Sequence, residues 1–124
     1  MFSHIVVGAD DLSAAKRFYD AALGALGYGP GVEAGERVIY SAETGILMVT
    51  KPINGASASF GNGGTIGLTA PNVTAVDAFH ADGVAAGGSD EGAPGPRAAI
   101  PNSYAAYLRD PTGNKLVAWC VRET

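Results

Sequence analysis

Two apolar-rich runs, Ser103 to Arg109 (SYAAYLR) and Lys115 to Val121 (KLVAWCV), flank the segment Asp110-Pro111-Thr112-Gly113-Asn114. Aromatic, β-branched and small apolar residues in runs of this length predict strands, and the segment between them spells out a turn. Pro111 presets φ at the first central position, Gly113 accepts φ > 0 without steric cost, and Asp110 can accept bonds from the N–H groups ahead of it. A five-residue connection pairs Arg109 with Lys115, Tyr107 with Val117 and Ala105 with Trp119 across the hairpin. A four-residue connection would shift every pair by one and turn Tyr107 away from Val117.

The remaining pattern is read in the same way. Phe2 to Gly8 is strand-like. Asp10-Asp11-Leu12-Ser13 supplies the acceptor side chains that open helices, and a helix is expected from Ser13 to Leu23 with Ala14, Phe18, Ala21 and Ala22 turned inward. Gly24 to Gly31 breaks it. Strands are expected at Arg37 to Ser41 and Gly45 to Thr50, around a turn at Glu43-Thr44-Gly45. A Pro-, Gly- and Ser-rich passage follows. Then come a strand from Thr65 to Thr69, a helix from Val73 to Ala86 opened by Asn72, and a Gly- and Pro-rich segment to Pro101 holding one irregular strand.

The order repeats. Laying His4 to Gly27 on Thr65 to Gly88 matches Ile5 with Ile66, Ala9 with Ala70, Ala14 with Ala75, Phe18 with Phe79, Ala25 with Ala86 and Gly27 with Gly88. Strand falls on strand and helix on helix. The chain is therefore read as one α+β domain, 1–124, of two βαβββ units at about 1–52 and 63–124 joined by a linker at 53–62. Duplicated units of this kind bury their apolar faces against each other, and two curved mixed sheets around a shared cleft are expected.

Composition narrows the partners. The formal net charge is −4, and the eight Lys and Arg are scattered, whereas a nucleic-acid site needs a clustered basic face. No apolar run approaches the roughly 18 residues of a spanning helix, so no membrane partner is expected, and Met1 leads into FSHIVV without a signal-peptide pattern. A single cysteine, Cys120, cannot close an internal disulfide, which suits the reducing cytoplasm. Its thiol is read as a small apolar group in a strand core rather than a nucleophile.

The tandem βαβββ order, His4 on the first strand, Asp11-Leu12-Ser13 with Phe18-Tyr19 in the first helix, Gly24 to Tyr28, and Asp110-Pro111-Thr112-Gly113-Asn114 together resemble the vicinal oxygen chelate superfamily. That superfamily holds glyoxalases, bleomycin resistance proteins and extradiol dioxygenases, and its fold is the glyoxalase/bleomycin resistance/dihydroxybiphenyl dioxygenase fold. Val76-Asp77-Ala78-Phe79-His80, Ala86-Gly87-Gly88 and Pro94-Gly95-Pro96-Arg97 resemble a branch of small bacterial glyoxalase-like proteins. The resemblance implies a homodimer. It also implies a metal site of four inward side chains, typically His or Gln, Glu, His and Glu. The matching positions are His4, Met48, Thr65 and Val117. A divalent ion needs three or four N, O or S donors at fixed geometry, and here only the imidazole remains. No slip of one or two residues brings a carboxylate or second imidazole into these positions. No metal and no other cofactor is expected.

Strand parity from the four matched positions gives the cleft lining. On the first unit it includes His4 and Met48. On the second it includes Thr65, Thr69 and Tyr107, then Arg109, Lys115, Val117 and Trp119. Mostly apolar and aromatic walls with a few polar points suit a small-molecule pocket, although the same residues could fill a plain core. His4 is either a relic or a general base, and His4 with Tyr107 forms a possible metal-free acid–base pair. Arg109 and Lys115, facing each other across the hairpin, suggest a carboxylate or phosphate ligand, or simply reach solvent. Arg97 is a candidate lid residue. The expected function is binding of a small molecule without metal catalysis. A lyase, isomerase or dioxygenase of the same superfamily, metal-dependent or metal-free, is the alternative, and a structural domain with a filled core is a third reading.

Overall fold

The structure is a computed structural model and describes residues 1–122. The first unit runs β1 (His4–Gly8), α1 (Leu12–Ala25), β2 (Val32–Ala34), β3 (Arg37–Ala42) and β4 (Gly45–Thr50). The second runs β5 (Ile66–Thr69), α2 (Val73–Ala85), β6 (Ser89–Gly95), β7 (Ser103–Arg109) and β8 (Lys115–Val121). Each unit forms a four-stranded mixed sheet, ordered β1-β4-β3-β2 and β5-β8-β7-β6. The fold is α+β, as the pattern predicts. The short β2 is the one strand with no local signal of its own, being three exposed residues, Val32, Glu33 and Ala34, at a sheet edge.

Both helices begin and end by the same devices. The Asp11 carboxylate accepts from the Ala14 N–H at 3.0 Å, and the Asn72 side chain accepts from the Ala75 N–H at 2.9 Å. Each side chain satisfies an N–H that the helix itself leaves unpaired. At the other end Gly27 and Gly87 take φ of 100° and 108°. The N–H groups of Tyr28 and Gly88 then turn back to the carbonyls of Leu23 and Gly83, the six-to-one closure that a left-handed glycine permits. The structural counterpart of Gly27 is therefore Gly87 rather than Gly88, because α2 closes one residue earlier than the repeat predicts.

The inward face of α1 is Ala15, Phe18, Tyr19, Ala22 and Leu23. Ala14 and Ala21, expected to face inward, are only partly covered, and the stripe is rotated toward Tyr19. That phenol is fully buried and donates to Asp110 Oδ2 at 2.6 Å, joining α1 to the turn between β7 and β8. Burial raises the Tyr19 pKa well above its ordinary value, and the adjacent Asp110 charge and hydrogen bond raise it further. The phenol therefore stays protonated and remains a donor. The same carboxylate receives the backbone N–H groups of Thr112, Gly113 and Asn114 at 2.9 to 3.0 Å and the Asn114 side-chain amide at 2.9 Å. A carboxylate 5% exposed stays buried here because every oxygen is bonded. Gly113 sits at φ 108°, as the turn requires.

The register of the hairpin follows from that turn: Arg109 opposes Lys115, Tyr107 opposes Val117 and Ala105 opposes Trp119. Toward the helices the sheets present Val38 and Val49 from the first unit and Leu108 and Leu116 from the second, all fully buried with Phe18, Val76 and Phe79. The two halves meet through α1 and α2, which pack on each other. Close approach depends on glycine. A Cβ on Gly83 would collide with Leu108 and press on Phe18, and one on Gly88 would collide with Phe18 and stand 2.9 Å from the Gly83 carbonyl.

Two outcomes test this packing. Tyr19→Phe should lower the free energy of unfolding in urea by about 1.5–3 kcal/mol, the worth of a hydrogen bond to a charged group. Gly24, in the same helix with open space around it, provides the contrast. Gly24→Ala should stabilise by roughly 0.5–1 kcal/mol through helix propensity, whereas Gly88→Ala should destabilise by about 1–3 kcal/mol through overpacking. Equal effects of the two alanines would rule out this account of the helix junction.

Candidate functional site: two open sheet faces

Alternation along each strand sends one set of side chains to the helices and the other outward. The outward set contains three of the four positions matched to a metal ligand, His4, Met48 and Val117. His4 pairs in register with Ile46 and Val6 with Met48, so the His4 and Met48 side chains share the outer face of the first sheet. Gly67 pairs with Val117, which pairs in turn with Tyr107. Thr69 pairs with Trp119, and Thr65 stands exposed just before β5. The parity expected from the sequence is therefore observed. Within one chain these faces are open: Val6 is 49% exposed, His4, Thr65 and Thr69 are exposed, and Met48, Tyr107, Val117 and Trp119 are partly so.

His4 and Tyr107 stand on different sheets, and His4 Nδ1 and the Ser3 hydroxyl share a hydrogen bond of 2.8 Å. Arg109 donates from Nε to Glu91 at 2.6 Å and from Nη1 to the Gly113 carbonyl at 2.8 Å. Its charge is thus compensated inside the chain, which relieves the Arg109–Lys115 juxtaposition. Its guanidinium lies 5.3 Å from the Phe60 ring centroid. Phe60 comes from the linker, which also ties back to the first unit through the Ala58 N–H to Asp10 at 2.7 Å. Sequence reasoning passed over Phe60. The available signal was a lone aromatic in a passage rich in Gly, Ala, Ser and Asn.

Arg97 is held differently from a mobile lid residue. It lies beyond β6, whose pairing with β7 slips at Asp90–Gly92 and again at Gly92–Gly95. Its Nη1 donates to the carbonyls of Gly95 and Pro96, at 2.9 and 3.2 Å, and its Nη2 to the Ala93 carbonyl at 2.9 Å. The guanidinium then lies 5.4 Å from the Tyr107 centroid, with Lys115 Nζ 5.2 Å from the same centroid. Gly92 leaves room for this arrangement, since a Cβ there would stand 3.2 Å from both Arg97 Nη2 and the Tyr107 ring.

A separate groove of about 210 Å³ opens between the start of β1, the β3–β4 turn and β5, with His4, Tyr28, Tyr40, Ile46 and Ile66 in its walls. It is mainly apolar. Met48, Tyr107, Val117 and Trp119 lie outside it. Cys120 faces the core at 7% exposure, and burial pushes its thiol pKa up, which lowers the thiolate fraction and disfavours nucleophilic use.

Paired βαβββ units with helices packed together and two outward sheet faces define a modular α+β class. The chain belongs to the Glyoxalase/Bleomycin resistance protein/Dioxygenase superfamily, whose family model matches residues 1–118. A glyoxalase/bleomycin resistance protein from Albidiferax ferrireducens T118 is 50% identical and superposes with a TM-score of 0.90, over 96% of this chain and 97% of that one. A glyoxalase-related enzyme from Fulvimarina pelagi, 22% identical with a TM-score of 0.76, covers 96% of this chain and 86% of its own. A lactoylglutathione lyase from Agrobacterium tumefaciens, 24% identical with a TM-score of 0.62 and coverage of 96% and 92%, shares the fold. No curated protein matches the chain. Among the described residues no helix is long and apolar enough to cross a membrane.

The Cys120 environment has a direct readout. A chromogenic disulfide reagent should leave the native thiol unmodified over minutes at neutral pH and titrate it fully in denaturant. Rapid modification of the folded protein would contradict a buried, high-pKa thiol.

Proposed function

We propose that this protein binds a small organic molecule without using a metal ion, in a cleft completed when the outer face of one sheet meets the outer face of the other sheet from a second copy. The observation that carries the reading is the outward pair of Tyr107 and Trp119, partly exposed on a sheet face that also carries the polar groups of Thr69, Arg109 and Lys115. Aromatic walls with a few hydrogen-bonding groups are the usual makeup of a ligand site. The first sheet offers the complementary apolar wall through Val6, Ile46 and Met48. Face-to-face closure would remove these apolar side chains from water, the dominant favourable term in association.

The donor chemistry supports a metal-free site. At the four matched positions the groups are an imidazole, a thioether, a hydroxyl and a valine side chain, so a divalent ion finds neither enough donors nor compensating charge. His4 and Tyr107 would line the composite cleft as hydrogen-bonding groups for the ligand. The ligand-holding unit is the whole chain as a single domain, since neither repeat supplies both faces. A cytoplasmic setting agrees with the single buried cysteine.

Light scattering should give the mass of two 12.5 kDa chains, and Val6→Asp on the open face should give a folded monomer. Purified without chelator and soaked in nickel, zinc, iron or manganese, the protein should retain no stoichiometric metal by elemental analysis, with an unchanged melting temperature in chelator. A near-stoichiometric metal would overturn the metal-free reading and direct assays to lyase and dioxygenase chemistry.

A further inference from the structure

On the outer face of the second sheet, two cations are gathered around one aromatic ring. Arg97 and Lys115 lie 5.4 and 5.2 Å from the Tyr107 centroid, and neither forms an ion pair among the described residues. The nearby Arg109 is already neutralised by Glu91. Each of these charges stands on a partly covered face without a counter-ion, and contact with one tyrosine ring compensates it only in part.

Arg97 adds a geometric feature to the charge. Three of its five N–H donors are committed to the carbonyls of Ala93, Gly95 and Pro96. Nε–H and one Nη2 hydrogen have no partner among the described residues. Nε and Nη2 form one edge of the guanidinium, the edge that meets a carboxylate or phosphate with two parallel hydrogen bonds. Because the backbone already fixes the guanidinium, binding an anion orders little that is not ordered beforehand. The Tyr107 hydroxyl also has no partner among the described residues and is not buried, so it is available as a third donor.

We propose that Arg97, Tyr107 and Lys115 form an anion-recognition site that orients the charged group of the ligand, so that the molecule held in the cleft is an organic acid or phosphate with an apolar body. This rests on the small-molecule reading above and specifies it. The apolar body lies along Val117, the cross-strand partner of Tyr107, and Trp119, the next residue of that strand on the same face. The anion lies at the Arg97 edge with Lys115 as a second, less directional charge.

Benzoate and inorganic phosphate serve as anionic probes and benzyl alcohol as the neutral one, titrated against the full-length protein by amide chemical shifts in NMR. Benzoate should bind at least tenfold tighter than benzyl alcohol, with the largest shifts around residues 92–97 and 107, and should weaken as salt is raised. Arg97→Gln and Lys115→Gln should each weaken benzoate about tenfold and leave benzyl alcohol unchanged. Arg97→Lys should recover only part of the loss, since it restores charge without the two-donor edge. Lys51→Gln, an exposed cation outside the cluster, should change nothing. Among the described residues the Lys115 side chain makes no hydrogen bond to backbone, so its variant tests the site even where Arg97 variants loosen the β6–β7 connection. Phosphate bound more tightly than benzoate, with the same dependence on both cations, would support the site and name phosphate as the preferred group. Equal binding of benzoate and benzyl alcohol, insensitive to both substitutions, would overturn the anion site and leave the small-molecule reading standing. No binding of any probe would overturn both.

Discussion

The hydrogen bond from the Tyr19 phenol to the buried Asp110 carboxylate fixes more of this molecule than any other single contact. It joins the helix of one repeat to the closing turn of the other. A buried carboxylate is costly unless each lone pair is used, and the chain uses them on the turn itself, so the same group that ties the repeats together also sets the turn. Once the turn holds five residues, the register of β7 and β8 is determined, and with it which side chains look outward. Tyr107, Val117 and Trp119 share the open face because Asp110 is satisfied.

Duplication explains the plan but not its details. Equivalent caps at Asp11 and Asn72 start equivalent helices, and Phe18 and Phe79 occupy equivalent buried places. The copies then part. Helix α2 closes a residue early, and Gly83 and Gly88 give up side chains so that Phe18 can lie between the helices. The junction is therefore asymmetric: one copy supplies the aromatic knob and the other the glycine-lined hole.

The hairpin was legible in the sequence because Pro111, Gly113 and Asp110 each have one good use in a turn. Outward parity was legible for the same reason. The inward stripe of α1 was read a step away from its true position, because a tyrosine's polar end suggests a surface place until a buried acceptor is known to await it. Compensation of Arg109 by Glu91 and the anchoring of Arg97 were not legible, since both depend on the bulged course of β6, where Gly and Pro set no periodicity. Pattern also cannot tell a cleft from an open face. It says which residues stand together, not what stands opposite them.

Trp119 is the chain's only tryptophan, and it stands partly exposed on the open face one pair away from Val117 and Tyr107. The protein thus carries a single indole chromophore on an open sheet face, with no second one in the core to dilute its signal. Its emission colour and quenching respond to changes in the polarity of that face. Whatever comes to cover the sheet, a ligand or another chain, is reported by light the protein already emits.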